Sequence, residues 1–108
     1  MILQIDSTLR DRVKVALKER GNVKIKELII EQKTGSQALL PAIVKIVKDS
    51  KINLSDIKSV EVKTGPGSFT GTRVGVAIAN ALGFALNIPV NGKKAKIVVP
   101  IYEKSKFD

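Results

Sequence analysis

The chain has 108 residues, with 19 Lys and Arg against 10 Asp and Glu, and it contains neither Cys nor His. A single domain is expected at this length, and a hydrophobic content of 44% is sufficient for one core. Without Cys or His, the composition excludes disulfides, thiolate nucleophiles, Ser-His pairs and the usual zinc sites, so we expect neither a metal nor a cofactor. The net charge of +9 favours an anionic partner or a Lys-rich solvent-exposed surface.

The basic charge is densest at the end of the chain, where residues 93–108 hold five Lys against two acidic residues. The start of the chain does not resemble a signal peptide. The longest near-apolar run, residues 74–90, is 17 residues long, carries no charge and contains two Asn, two Gly and one Pro. Because a membrane span needs about 20 apolar residues, we expect a buried helix there, and a cytoplasmic protein.

Alternating apolar residues predict three antiparallel strands, over residues 1–5, 12–18 and 23–31. Helical spacing follows over residues 37–50. Pro41 lies late for a proline of the first turn, so the sequence defines the start of this helix only to within a few residues. The remaining chain predicts a strand at 58–63, a helix from 69 or 70 to 86, a short strand at 88–90, a turn at Asn91-Gly92 and a last strand at 97–102. The order β-β-β-α-β-α-β predicts an α/β fold with a mixed sheet.

The second predicted helix carries no charge after Arg73. Small residues form two ridges along it, one of Gly75, Ala79 and Gly83 and one of Ala77, Ala81 and Ala85. A helix that is apolar all round must be buried all round, yet a domain of this size can cover only part of it. We therefore expect a second chain to pack on the two helices in a four-helix contact. Coverage by the chain's own tail is the alternative.

A glycine-rich loop joins the fourth predicted strand to the second helix, and it consists of Gly65, Pro66, Gly67, Ser68, Phe69, Thr70 and Gly71. Backbone N–H groups at such a junction favour anions. The loop has no Lys of the P-loop kind, and Thr70 stands where the dinucleotide pattern requires its third Gly. Ser68 and Thr70 would have no His as a base. The residues alone therefore favour a structural loop over a phosphate site.

Residues 65–75, GPGSFTGTRVG, resemble the signature of the bacterial TsaB (YeaZ) family of tRNA threonylcarbamoyladenosine biosynthesis proteins. Residues 2–8 are similar to the family's opening strand and turn, residues 36–41 to the start of its first helix, and residues 79–90 to the end of its second helix. The resemblance covers residues 1–92 as a first lobe and leaves residues 93–108 as a basic tail. It implies one lobe of the actin/Hsp70/sugar-kinase (ribonuclease H-like) fold, whose element order is the one predicted above.

The resemblance implies a non-catalytic scaffold subunit that pairs with a TsaD-like catalytic subunit. With a TsaE-like ATPase, the complex would transfer a threonylcarbamoyl group to an adenosine beside the tRNA anticodon, and tRNA would be contacted through the complex. Whether the free chain forms a homodimer is a question that the sequence leaves open. We expect the partner contact at Leu39, Leu40, Ile43, Val47, Arg73, Ala77, Asn80, Ala81 and Phe84.

The chain departs from the family pattern after residue 92, where family members continue into a second lobe. Pro100-Ile101-Tyr102 is similar to a Pro-x-Tyr near the family's C-terminus, which implies that the second lobe has been deleted. Without an interlobe cleft, we expect Asp6 to be a structural turn residue. Two alternatives remain: a minimal nucleotide hydrolase that uses Asp6 and the glycine-rich loop, and a small RNA-binding module that uses the basic tail.

Overall fold

The computed structural model describes residues 1–9, 11–19, 21, 23–31, 35–67, 69–93 and 98–99, with the backbone alone described at 35–38 and 69. Its elements are the strands β1 (Ile2–Asp6), β2 (Arg12–Glu19), β3 (Val23–Glu31) and β4 (Ser59–Val62), the helices α1 (Gly35–Asp49) and α2 (Phe69–Leu86), and a 3₁₀ turn at Leu54–Asp56. The predicted order of these strands and helices is confirmed, and every observed boundary lies within two residues of its predicted position.

The four strands form one mixed sheet in the order β3-β2-β1-β4. β1 pairs antiparallel with β2 and parallel with β4, so the chain must cross over between β3 and β4, and α1 makes that crossover. The strand predicted at 88–90 is reduced to a parallel bridge between Val60 and Val90. The sheet is therefore the three-stranded meander that the alternation predicts, extended by one parallel strand.

The core lies between one face of the sheet and the two helices. Alternate residues of the strands point into it, as a half-buried strand requires. The buried strand residues on this face are Leu3, Ile5, Val13, Val15, Leu17, Val60 and Val62. They pack on Leu39, Ala42, Ile43 and Ile46 of α1 and on Val76 and Ala79 of α2. Every buried residue here is aliphatic, as expected from an aromatic content of 4%.

The opposite face of the sheet carries charged and polar residues beside Ala16 and Ile29, and it forms a shallow cavity of about 410 Å³. Two side-chain pairs on this face are formed within the chain. Lys24 Nζ donates to Glu27 Oε2 at 2.7 Å, and Gln4 Nε2 donates to Glu61 Oε1 at 3.1 Å. The hydrogen bond from Lys24 lowers the pKa of Glu27 below its ordinary value.

Pro41 lies in the interior of α1, which begins at Gly35, two residues before its predicted start. An interior proline removes one backbone hydrogen bond from a helix. Its ring is exposed on the side of α1 that faces away from the sheet. The proline therefore belongs to the outer surface of α1 and does not mark its first turn.

The chain reverses direction at Asn91-Gly92, as predicted. Both residues adopt positive φ angles, 51° and 77°, which is the geometry of a type I′ hairpin turn. Val90 and Lys93 exchange two backbone hydrogen bonds of 3.1 and 3.0 Å across it. Of the last predicted strand, residues 98 and 99 are not in a strand, and residues 97 and 100–102 lie outside the described residues. Within the described part of the chain, α2 included, no helix has the length and hydropathy to cross a membrane.

Candidate partner interface and the glycine-rich loop

The glycine-rich loop packs tightly on the turn that follows β1. β1 and β4 are parallel neighbours, so their carboxyl ends lie at the same edge of the sheet. A Cβ at Gly67 would lie 2.6 Å from both Cβ and the carbonyl oxygen of Thr8, and a Cβ at Gly75 would collide with Ser7 Oγ. Gly65 has a φ of 124°, which side chains rarely tolerate. Glycine is therefore required at these positions by close approach and by backbone conformation.

The polar groups of this edge are used within the chain. Ser7 Oγ donates to the carbonyl oxygen of Gly71 at 2.6 Å. The backbone N–H and the hydroxyl of Thr8 both donate to Asp6 Oδ1, at 3.0 and 2.6 Å. Lys63 Nζ lies 4.0 Å from the other carboxylate oxygen of Asp6. Asp6 thus has the turn role that the sequence predicts, and Ser7 and Thr8 are buried.

Of the remaining loop residues, Phe69, Thr70 and Gly71 lie in the first turn of α2, and Pro66 precedes the helix. Pro66 and Thr70 are exposed, and Gly71 is half-buried. Ser68 lies outside the described residues.

On α1, the structure corrects the predicted contact residues. Leu39, Ile43 and Val47 are buried in the chain's own core, at 0%, 3% and 9% exposure, and so they offer no surface to a partner. Leu40 and Val44, one helical turn apart, point outward instead, with 52% and 64% of their surface exposed. The apolar residues of α1 therefore form two groups, one that covers the sheet and one that is exposed.

On α2, the predicted residues lie together on the exposed side. Arg73, Ala77, Ala81 and Phe84 are all exposed, and Phe84 has 65% of its surface accessible. Asn80 differs from these four because it is only half-exposed and its side-chain amide pairs with the backbone of Val98.

We define the helix face by the exposed apolar residues of the two helices, Leu40, Pro41 and Val44 of α1 and Ala77, Ala81, Phe84 and Ala85 of α2. The two helices that carry these residues pack on one another. Lys45 and Asp49 form a 3.1 Å ion pair at its border. An exposed apolar patch with a charged rim is typical of a protein interaction site.

Sequence reasoning missed Pro41, Val44 and Ala85. A signal for the first two was present. Lys48 lies one turn after Val44, and both Lys45 and Lys48 are exposed. Charged residues mark the solvent side of a helix. Pro41, which shares a ridge with Lys45, and Val44, which shares a ridge with Lys48, could therefore have been assigned to that side.

Comparisons with known proteins identify relatives for most of the chain. The family described as TsaD, tRNA N6-adenosine threonylcarbamoyltransferase, matches residues 29–93. The tRNA threonylcarbamoyladenosine biosynthesis protein TsaB of Haemophilus influenzae is 39% identical over 90 residues, which cover 82% of this chain and 37% of that protein. TsaB of Escherichia coli is 38% identical over 92 residues, covering 84% and 38% of the two chains.

Solved structures show the same fold. YeaZ from Pseudomonas aeruginosa matches with a TM-score of 0.75 at 24% identity, over 94% of this chain and 44% of that chain. A second structure, described as an uncharacterized protein with similarity to peptidase YEAZ, matches with a TM-score of 0.69 at 25% identity and covers 94% and 43% of the two chains. The chain thus spans less than half the length of these relatives.

Proposed function

Because this chain belongs to the TsaB family of tRNA threonylcarbamoyladenosine biosynthesis proteins, we propose that it is a non-catalytic subunit that pairs through the helix face with a TsaD-like catalytic subunit. The observation that carries the proposal is the helix face itself, a set of exposed apolar residues on two helices that pack on one another. A TsaE-like ATPase and tRNA would join through the complex, in the cytoplasm. Residues 1–92 would form the lobe that pairs, and residues 93–108 its basic tail.

The shape of the helix face suits a partner that presents helices. Ala77 and Ala81 are small and exposed, so a partner helix can approach α2 closely. Phe84 is exposed next to them and has the size of an anchor residue at an interface. Leu40 and Val44 extend the same surface onto α1. Such a surface fits two helices of a partner, which gives a four-helix contact.

The match to the TsaD family supports a partner of the same architecture. The matched residues 29–93 contain α1, β4 and α2. A TsaD-like subunit is therefore expected to present the same pair of helices, and two such pairs can pack around an approximate twofold axis. The same geometry would allow a second copy of this chain to occupy the face when the chain is alone.

The non-catalytic role is supported by the way the chain uses its own polar groups. Asp6 accepts two hydrogen bonds from Thr8, and Ser7 donates to Gly71. These groups hold the turn and the loop in place. A nucleophile or a metal-binding acid must instead present a polar group to a substrate or an ion.

The test is to mix the chain with a TsaD-like protein from the same organism and to measure mass by light scattering on a sizing column. We expect a one-to-one complex, and a homodimer of the free chain would exchange into it. Ala81→Glu would place a charge at the centre of the helix face, and we expect it to lower the affinity at least tenfold because a buried unpaired charge is costly. The matched control is Val23→Glu, at a 60% exposed site on β3.

The control variant is expected to bind like the unaltered chain. If Ala81→Glu binds equally well, pairing through the helix face is wrong. If the unaltered chain does not bind the TsaD-like protein at all, the proposed function is wrong.

A further inference from the structure

A single side chain fastens the end of the described chain to α2. Asn80 Nδ2 donates to the carbonyl oxygen of Val98 at 2.8 Å, and the backbone N–H of Val98 donates to Asn80 Oδ1 at 3.0 Å. One amide thus satisfies both backbone groups of one residue, as a neighbouring strand would do. The Val98 side chain is only 8% exposed and packs in the core. We call residues 98 and 99 the strap.

The strap lies at the border of the helix face. On α2, Asn80 stands between Ala79, which is fully buried, and Ala81, which belongs to the helix face. Phe84 follows Asn80 by four residues and is therefore its neighbour one turn along. Val99, the residue after the fastened Val98, has 66% of its surface exposed. An exposed apolar side chain thus stands beside the apolar side of α2.

The helix face by itself is too small for a stable interface. It has seven residues, and four of them are Ala or Pro. A stable protein interface buries about 800 Å² on each partner and involves about 20–30 residues a side. The footprint of a partner must therefore include residues outside the helix face. The strap, with its outward Val99, is an apolar surface at the α2 border that can supply such an extension.

We propose that the strap is part of the docking surface for the TsaD-like subunit, and that Asn80 is the positioning residue that holds it there. The inference rests on the proposed function. Val99 contacts the partner directly, and Asn80 acts only through the strap. The role expected for Asn80 at the partner contact is thereby replaced by an indirect one.

The first experiment measures whether Asn80 holds the strap in the free chain. Backbone amide hydrogen exchange should show a protected Val98 N–H, and Asn80→Ala should increase its exchange rate at least tenfold. Val62 provides an internal control, because its N–H donates to Asn91 Oδ1 at 2.8 Å in the same kind of side-chain pairing. Exchange at Val62 should be unchanged by Asn80→Ala. A Val98 amide that exchanges at the same rate in both proteins would overturn the role of Asn80.

The second experiment measures whether the partner contacts the strap. We expect Val99→Glu to lower the affinity for the TsaD-like subunit at least tenfold by calorimetry, whereas Val23→Glu, at a similarly exposed valine, has less than a twofold effect. In Asn80→Ala, the further loss caused by Val99→Glu should shrink, because the strap is already displaced. If Ala81→Glu weakens binding and Val99→Glu does not, the strap lies outside the footprint and only this inference is wrong. If the unaltered chain does not bind, or neither variant weakens binding, the inference and the proposed function are both wrong.

Discussion

The glycine-rich edge of the sheet and the helix face use their residues in opposite ways. At the edge, Ser7 and Thr8 are buried and hydrogen-bonded, and the glycines leave no space for a side chain. On the helix face, Phe84 and Val44 expose about two-thirds of their surface. The most distinctive stretch of sequence therefore maintains the lobe, while the surface open to a partner lies outside that stretch. Substitutions at the two places should have separable effects on folding and on binding.

The largest effect is expected from Gly75→Ala at the edge. The new Cβ would collide with Ser7 Oγ, and Ser7 is only 1% exposed and already bonded to Gly71, so it has little room to move. Overpacking of this kind costs about 1–3 kcal/mol, although alanine is the better helix former. We expect the free energy of unfolding, measured in urea, to fall by about 2 kcal/mol.

The double variant with Ser7→Ala provides the control, because it removes the colliding oxygen. The loss of stability caused by Gly75→Ala should be smaller in the Ser7→Ala background than in the unaltered chain. Equal losses in both backgrounds would show that the collision is not the cause.

The next effect is expected from Phe84→Ala on the helix face. Truncation of an exposed residue should leave the free energy of unfolding within about 0.5 kcal/mol of its original value. Binding to the TsaD-like subunit should weaken by about 2 kcal/mol if Phe84 is an anchor of the interface. Calorimetry of binding and urea unfolding of the free chain measure the two quantities. A variant that unfolds more easily but binds normally would reverse the comparison between the two regions.

The smallest effect is expected from Lys24→Gln on the face of the sheet opposite the helices, where Lys24 pairs with Glu27. Because Lys24 lowers the pKa of Glu27 in the folded state, the pair contributes stability above the ordinary Glu pKa of 4.5 and loses it as pH falls through the lowered value. The pair is substantially exposed, so the contribution at pH 7 should be below about 0.5 kcal/mol. Lys24→Gln should return the Glu27 pKa, followed by NMR, towards 4.5. An unchanged pKa would contradict the assigned cause.

The elements were predictable because their signals are local. Residues 12–18 and 23–31 alternate with period two, and the Asn91-Gly92 pair suits the positive φ angles of a tight hairpin. The resemblance of residues 65–75 to the TsaB signature likewise needs no tertiary information. By contrast, Asp6 was assigned to a turn only on general grounds, and its two hydrogen bonds with Thr8 became visible in the structure.

The second helix was predicted to have more apolar surface than a domain of this size can cover, and this followed from sequence alone. Which residues remain outside was decided by the rotation of each helix about its axis, since that rotation depends on how well its residues fill the space above the sheet. For α1 this buried Leu39 and Ile43 and exposed Leu40 and Val44. For Asn80, the deciding contact is 18 residues away in sequence. Local patterns thus determined the elements, the hairpin turn and the family, whereas packing and long-range hydrogen bonds decided which surface is left for a partner.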